Sequence, residues 1–117
     1  MEAVIVHGDE NHRLALAEGE ERAVAFFTNG AATLTVEATL EARARLRLVF
    51  LFAGADEESV GARLRVQHVG ADSVSEVIAR GVLYNRSSAV VEGTIAIAPE
   101  AKRASARIFA SSWNFDL

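Results

Sequence analysis

The sequence contains no cysteine. That absence removes disulfides, thiolate zinc sites, thiol nucleophiles and cysteine-ligated iron–sulfur clusters from the chemistry of this chain, so any metal would have to be held by His, Asp or Glu. Basic excess is also missing: 16 acidic residues against 12 basic ones give a formal charge of −4. Bulk electrostatics would repel a phosphate backbone, which argues against nucleic acid as a partner. No window approaches the about 18 consecutive apolar residues of a membrane-spanning helix. The opening, MEAVIVHGDENHR, has neither the basic lead nor the long apolar block of a secretory signal. The expectation is a cytoplasmic protein without membrane association.

With 117 residues, 50% of them hydrophobic and 24% charged, the chain has the balance of a folded protein rather than a disordered tail. This length fits one domain, residues 1–117, with a real core and no room for a second. No linker rich in Pro or Ser divides it.

Ala, Leu, Glu and Arg dominate the middle of the chain and favour helix, but the periodicity does not. In ARLRLVFLF, residues 44–52, Leu46, Leu48, Phe50 and Phe52 recur every second position, with Arg45 and Arg47 on the opposite parity. Period two predicts a strand. The same alternation appears at 33–40 and 62–66, and more weakly at 13–18. Further strands are expected at 23–28, 74–79, 81–84, 89–98 and 105–110, making about nine short strands in an all-β chain.

The breaks between them, such as HGDEN, AEGEE, TNGAA and VGADS, hold residues suited to turns. Asn29-Gly30 is the best tight-turn candidate, since both residues accept positive φ. Residues 54–61 fit either a longer loop or one helical turn. Nine strands are compatible with a parallel solenoid, a β-sandwich or a barrel. Bursts of small residues from Ala71 onward favour the solenoid, because stacked corners select side chains that pile up without clashing. Gly93 then marks a bend or a close approach of another backbone, with Val91, Ile95 and Ile97 on the same inward parity.

Residues 67–106, QHVGADSVSEVIARGVLYNRSSAVVEGTIAIAPEAKRASA, resemble the core segment of the SufB/SufD proteins, components of an iron–sulfur cluster assembly machine. The resemblance is carried by His68, the paired Ser73 and Ser75, the step Arg80-Gly81-Val82-Leu83, Glu92-Gly93 followed by Ile95 and Ile97, and Ala101. It covers about a third of the chain, and residues 14–66 are similar to the preceding rungs in pattern only. The resemblance implies a right-handed parallel β-helix that associates with another family member and works with an ABC-type ATPase. The family's cluster-related cysteine and histidine, and the terminal helices that engage the ATPase, lie further downstream than Leu117. None of those residues carries over, and the chain reads as a short relative.

Candidate chemistry is sparse. His7 and His12 flank Asp9 and Glu10, a set of possible metal ligands. Their spacing does not place them together, and exposed turn histidines are the favoured reading. His68 could face a groove or a partner, or hydrogen-bond internally at a corner; the structural role is favoured. The serines 73, 75, 87, 88, 111 and 112 lack a nucleophile elbow or an evident base, so turn roles are preferred over catalysis. GADEESVG, residues 54–61, has no phosphate-loop lysine and carries three carboxylates. Glu92 shares its parity with Thr94 and should face outward.

Arg43, Arg45, Arg47, Arg63 and Arg65 form an alternating basic set on what should be adjacent outer faces. Stacked rungs would bring like charges about 4.8 Å apart unless carboxylates such as Glu37 and Glu41 interleave. A salt-bridged surface is preferred over a docking face for an acidic partner. Trp113 and Phe115 are expected on a loose tail, where they would cap an open coil or fill a partner's pocket.

The expectation is therefore a non-enzymatic scaffold in iron–sulfur cluster assembly. Its candidate interaction residues are His68, Trp113 and Phe115, and no residue is assigned to catalysis, metal or cofactor. Expected partners are a second copy or a related SufB/SufD-type subunit, with a Suf-type ATPase implied by the resemblance alone. The alternative is a small metal- or ligand-binding β-barrel using His7, His12 or His68.

Overall fold

A computed structural model of the chain describes residues 1–116. The polar/apolar alternation becomes nine strands among those residues: β1 Glu2–Ile5, β2 Gly8–Leu16, β3 Glu21–Asn29, β4 Ala32–Leu40, β5 Arg45–Gly54, β6 Ser59–His68, β7 Val74–Tyr84, β8 Ser88–Ile97 and β9 Ser105–Phe115. Odd strands form one sheet in the order β1-β3-β5-β7-β9, and even strands form a second in the order β2-β4-β6-β8. Every pairing is parallel. The chain thus winds as a flattened β-helix, extending 49 × 20 × 19 Å. Neither a closed barrel nor an antiparallel sandwich fits this connectivity.

The interior is built from columns, because parallel register puts the same side-chain position of each rung over the last. Leu48 stands between Val24 and Val77, and Leu64 follows Val36. All five are buried. Volume is exchanged along a column: Phe26 and Phe50 are followed by Ala79, and Phe52 by Gly81.

This exchange explains why 74–84 is one strand rather than two. A Cβ on Gly81 would lie 2.0 Å from Phe52 Cε2, so the glycine admits that ring while the register runs through unbroken. β1, too short for a pattern, was not foreseen. Within 54–61 only residues 55–58 connect β5 to β6, as a tight turn rather than a longer loop or helical turn. Gly93 bends nothing. β8 keeps its register with β6 through Leu64 opposite Gly93, and what approaches is the Ile108 side chain, 2.9 Å from a Cβ built there.

The corners depart from the small-residue expectation. Gly30 has φ 104°, without Asn29 joining it, and the left-handed positions Arg43, Asp56, Asp72, Asn85 and Arg103 all carry side chains. Along one corner, the N–H of Gly19 donates to Ala42 O, that of Arg43 to Ala71 O and that of Asp72 to Lys102 O. At Arg43 and Asp72 this bond to the next rung offsets a conformational cost of about 1–2 kcal/mol per non-glycine residue, and Asn85 donates likewise to Phe115 O. Asp72 also receives a bidentate pair from Arg103 at 2.7 and 2.9 Å.

The five arginines occupy separate places: Arg45 and Arg47 lie on β5, Arg63 and Arg65 on β6 in the other sheet, and Arg43 at a corner. Carboxylates interleave with them. Glu37 lies between Arg13 at 3.8 Å and Arg65 at 3.9 Å, and Glu92, on the outer face, meets Arg63 at 3.4 Å.

Candidate functional site at the open end of the coil

The two ends of the coil differ in chemistry. At the amino-terminal end the inward-facing positions include charged and polar side chains, Glu2, Glu10, His12 and Arg22, beside the apolar Val4, Val6, Leu14 and Leu16. Glu10 accepts from the His7 backbone N–H and pairs with His12 Nε2 at 2.9 Å, and Arg22 forks onto Glu2 at 2.8–3.1 Å. Those two contacts hold the Glu10 carboxyl below its ordinary pKa, the His7 amide contributing most. His12 lies on β2 with its ring edge-on to Phe26 at 4.9 Å, half-buried rather than exposed in a turn, whereas His7 is exposed. Among the described residues no cluster of three or more His, Asp or Glu could hold a metal ion.

The carboxy-terminal end is uncharged inside, and apolar apart from Ser112 and Asn114 of β9. Val91, Ile95 and Ile97 of β8 face Ile108 and Ala110 of β9, and Ile97 and Ile108 remain 52% and 42% exposed. Each of these last strands has a neighbour on one side only, β6 for β8 and β7 for β9. Their other edges present unpaired backbone groups, which template pairing with another chain.

Trp113 and Phe115 do not lie on a loose tail. They belong to β9, opposite Val82 and Tyr84, and Phe115 stacks on Tyr84 with centroids 5.6 Å apart. Both point outward from the odd-strand sheet, so they flank the open end rather than cap its interior. Trp113 is 53% exposed.

His68 sits below that end, at 0% exposure, in the column that runs Leu16, Leu40, His68, Ile97. Nδ1 and Nε2 each stand 2.8 Å from a serine Oγ, of Ser73 and Ser75 respectively. Ser73 Oγ donates to Gly70 O at 2.9 Å, so its oxygen takes the Nδ1–H. Nε2 is then the acceptor for the Ser75 hydroxyl. The ring is neutral, and burial pushes its pKa down. Of the two roles weighed for His68, this is the geometry of internal hydrogen bonding; no face of the ring is left for a partner. The histidine and serines are sealed from solvent, so a substrate has no access to them.

The other serines hold turns or surface contacts. Ser87 Oγ donates to Tyr84 O and Gly54 O, and Ser111 accepts from Arg80. Sequence reasoning missed Ile97, Ile108 and Phe109 as exposed apolar residues. The available signal was the absence of charge on the inward parity of 89–97, against Glu10 and His12 at the other end.

Comparison with known proteins yields one finding. The family model described as SUF system FeS cluster assembly, SufBD core domain, matches residues 5–112. The match begins far upstream of the segment whose residues carry the resemblance. No curated protein and no solved structure matches the chain.

Proposed function

Because the chain belongs to the SufBD core-domain family of the SUF iron–sulfur cluster assembly system, we propose that it is a non-enzymatic interaction module in cluster assembly, pairing through its open end with a second copy or a related SufB/SufD-type subunit. The observation that carries this reading is the asymmetry of the ends: charge and short β1 at one, uncharged interior and two full-length free edges at the other. Native proteins blunt edges with short strands and charge: at the amino-terminal end β1 has four residues and the nine-residue β2 carries Glu10 and His12 inward, whereas β8 and β9 are both full length with no inward charge. Head-to-tail stacking would join unlike ends and run on as a filament, whereas joining two like ends closes under a two-fold axis. Such a junction would be antiparallel, in contrast to every pairing within the chain.

Light scattering with size-exclusion chromatography tests it. The purified chain is expected to be a dimer, and Ile97→Lys with Ile108→Lys a monomer of unchanged circular dichroism. Co-purification from the source cell is expected to recover a SufB/SufD-type subunit. A dilution-resistant monomer that recovers no such subunit would overturn the proposal. A Suf-type ATPase as partner rests on family membership alone.

A further inference from the structure

The outer faces of the two sheets are chemically unlike. On the even-strand sheet the outward positions of β4 and β6 are Thr33, Thr35, Glu37, Arg63, Arg65 and Gln67. On the odd-strand sheet the outer face carries apolar residues toward the carboxy-terminal ends of β1, β3 and β5. Ile5, Phe27 and Leu51 form one outward column, and Ala53, Val82 and Trp113 continue the next one above Asn29. A groove of about 320 Å³ lies here, with Ile5, Phe27 and Leu51 beside the small Asn29 and Ala53. Parallel strands that are apolar on both sides are characteristic of sheets covered on both faces.

Charge identifies the cover. Of the eleven arginines, all but Arg80 and Arg107 meet a carboxylate within ion-pair distance among the described residues. Both exceptions face outward on this same sheet, Arg80 directly above Leu51 in its column and Arg107 beyond the apolar half. Among the described residues Arg80 donates to Ser111 Oγ, and Glu76, the register neighbour of Arg107, is engaged with Arg47. In a chain of net charge −4, Arg80, one rung above Leu51 at the end of the apolar groove, is complementary to an apolar ligand edged with carboxylates, and Arg107 adds a second such cation farther along the same face.

We propose that this face docks an amphipathic protein helix whose apolar stripe is flanked by Glu or Asp. Rungs repeat about every 4.8 Å and a helix turns every 5.4 Å. A helix lying along the coil axis therefore sets about one side chain over each of Ile5, Phe27 and Leu51 in succession. Its acidic flank reaches Arg80, the next position above Leu51 toward the open end. The face is distinct from the strand edges and does not depend on their pairing.

Trp113, the single tryptophan, faces outward two rungs above Ala53 of the groove, beside the column that Leu51 and Arg80 share, so a helix running toward the open end passes it and changes its emission. The test titrates the full chain with a synthetic helical peptide carrying Leu at i, i+3, i+4 and i+7 with flanking Glu, and with a second peptide bearing Lys in place of Glu. The Glu peptide is expected to give a saturable blue shift of Trp113 emission, with at least tenfold tighter binding than the Lys peptide. Arg80→Glu with Arg107→Glu should remove or reverse that preference, and Leu51→Glu should abolish binding while circular dichroism stays unchanged. Ile97→Lys with Ile108→Lys should leave peptide binding intact, which separates this face from the edge interface. Equal binding of the two peptides, or none, would overturn the proposal. So would a dimer that Leu51→Glu dissociates, since that would assign the face to a second copy of the chain.

Discussion

Replacing His68 by leucine tests the internal network directly, because leucine continues the Leu16–Leu40 column in shape but offers no nitrogen. Ser73 keeps an acceptor in Gly70 O, whereas the Ser75 hydroxyl, 1% exposed, has His68 Nε2 as its partner and would be orphaned. A buried unsatisfied hydroxyl costs about 1–3 kcal/mol. His68→Leu should therefore lower unfolding stability by that amount, roughly 4 °C in Tm per kcal/mol, as should Ser75→Ala, which strands Nε2. The double variant His68→Leu/Ser75→Ala should recover most of the loss, because replacing both partners by apolar groups is nearly neutral. Urea titration followed by circular dichroism at pH 7.5 measures all four proteins. Additive losses in the double variant, or a His68→Leu chain as stable as its parent, would refute the reading of His68 as a satisfied core ligand of two serines. The pH dependence gives an independent check. Burial lowers the folded-state pKa of His68, so the unfolded chain takes up the proton first, from about pH 6.5 downward. Stability should fall as pH drops below that value and should fall less steeply in His68→Leu.

Gly81→Ala places a methyl 2.0 Å from the Phe52 ring, so a loss of about 1–3 kcal/mol is expected, relieved by Phe52→Leu in the same urea assay. Gly93→Ala meets only the movable end of Ile108 at 2.9 Å; its stability should change by less than about 0.5 kcal/mol, as for an ordinary surface substitution. The Asp72 carboxyl is held below the ordinary range by hydrogen bonding to Arg103. Its contribution is present above the unfolded carboxylate pKa and is lost as pH falls through the lower folded value. NMR titration should show the Asp72 midpoint below 3.8, rising toward it in Arg103→Ala.

Period two in 44–52 was strong enough to override the helix preference of Ala, Leu and Arg, and the strand there buries the expected face: Leu46, Leu48, Phe50 and Phe52. Much of the candidate site was not legible. The tail SSWNF carries strand-forming aromatics, yet its ladder partner is β7, residues 74–84, and nothing local announces a pairing over that separation. Arg43 and Arg103 look like ordinary surface cations, yet both have left-handed backbones, that of Arg43 held by its amide bond to Ala71 O in the neighbouring rung. The residues His68, Ser73 and Ser75 stood out in the family-like segment, but that two serines grip opposite nitrogens of one ring depends on the corner at Gly70 folding β7 back against β6.

By itself the sequence determined which side chains alternate, where turns interrupt them and that charge is missing from the inward positions of the last rungs, because these are properties of neighbours along the chain. Tertiary structure alone decided which strand lies over which, and hence that Arg45 and Arg63 face opposite ways, that Gly81 admits a ring from another rung, and that one outer face carries an apolar groove and two uncompensated arginines. Those are contacts between residues distant in sequence, set by the coil's register rather than by any local pattern.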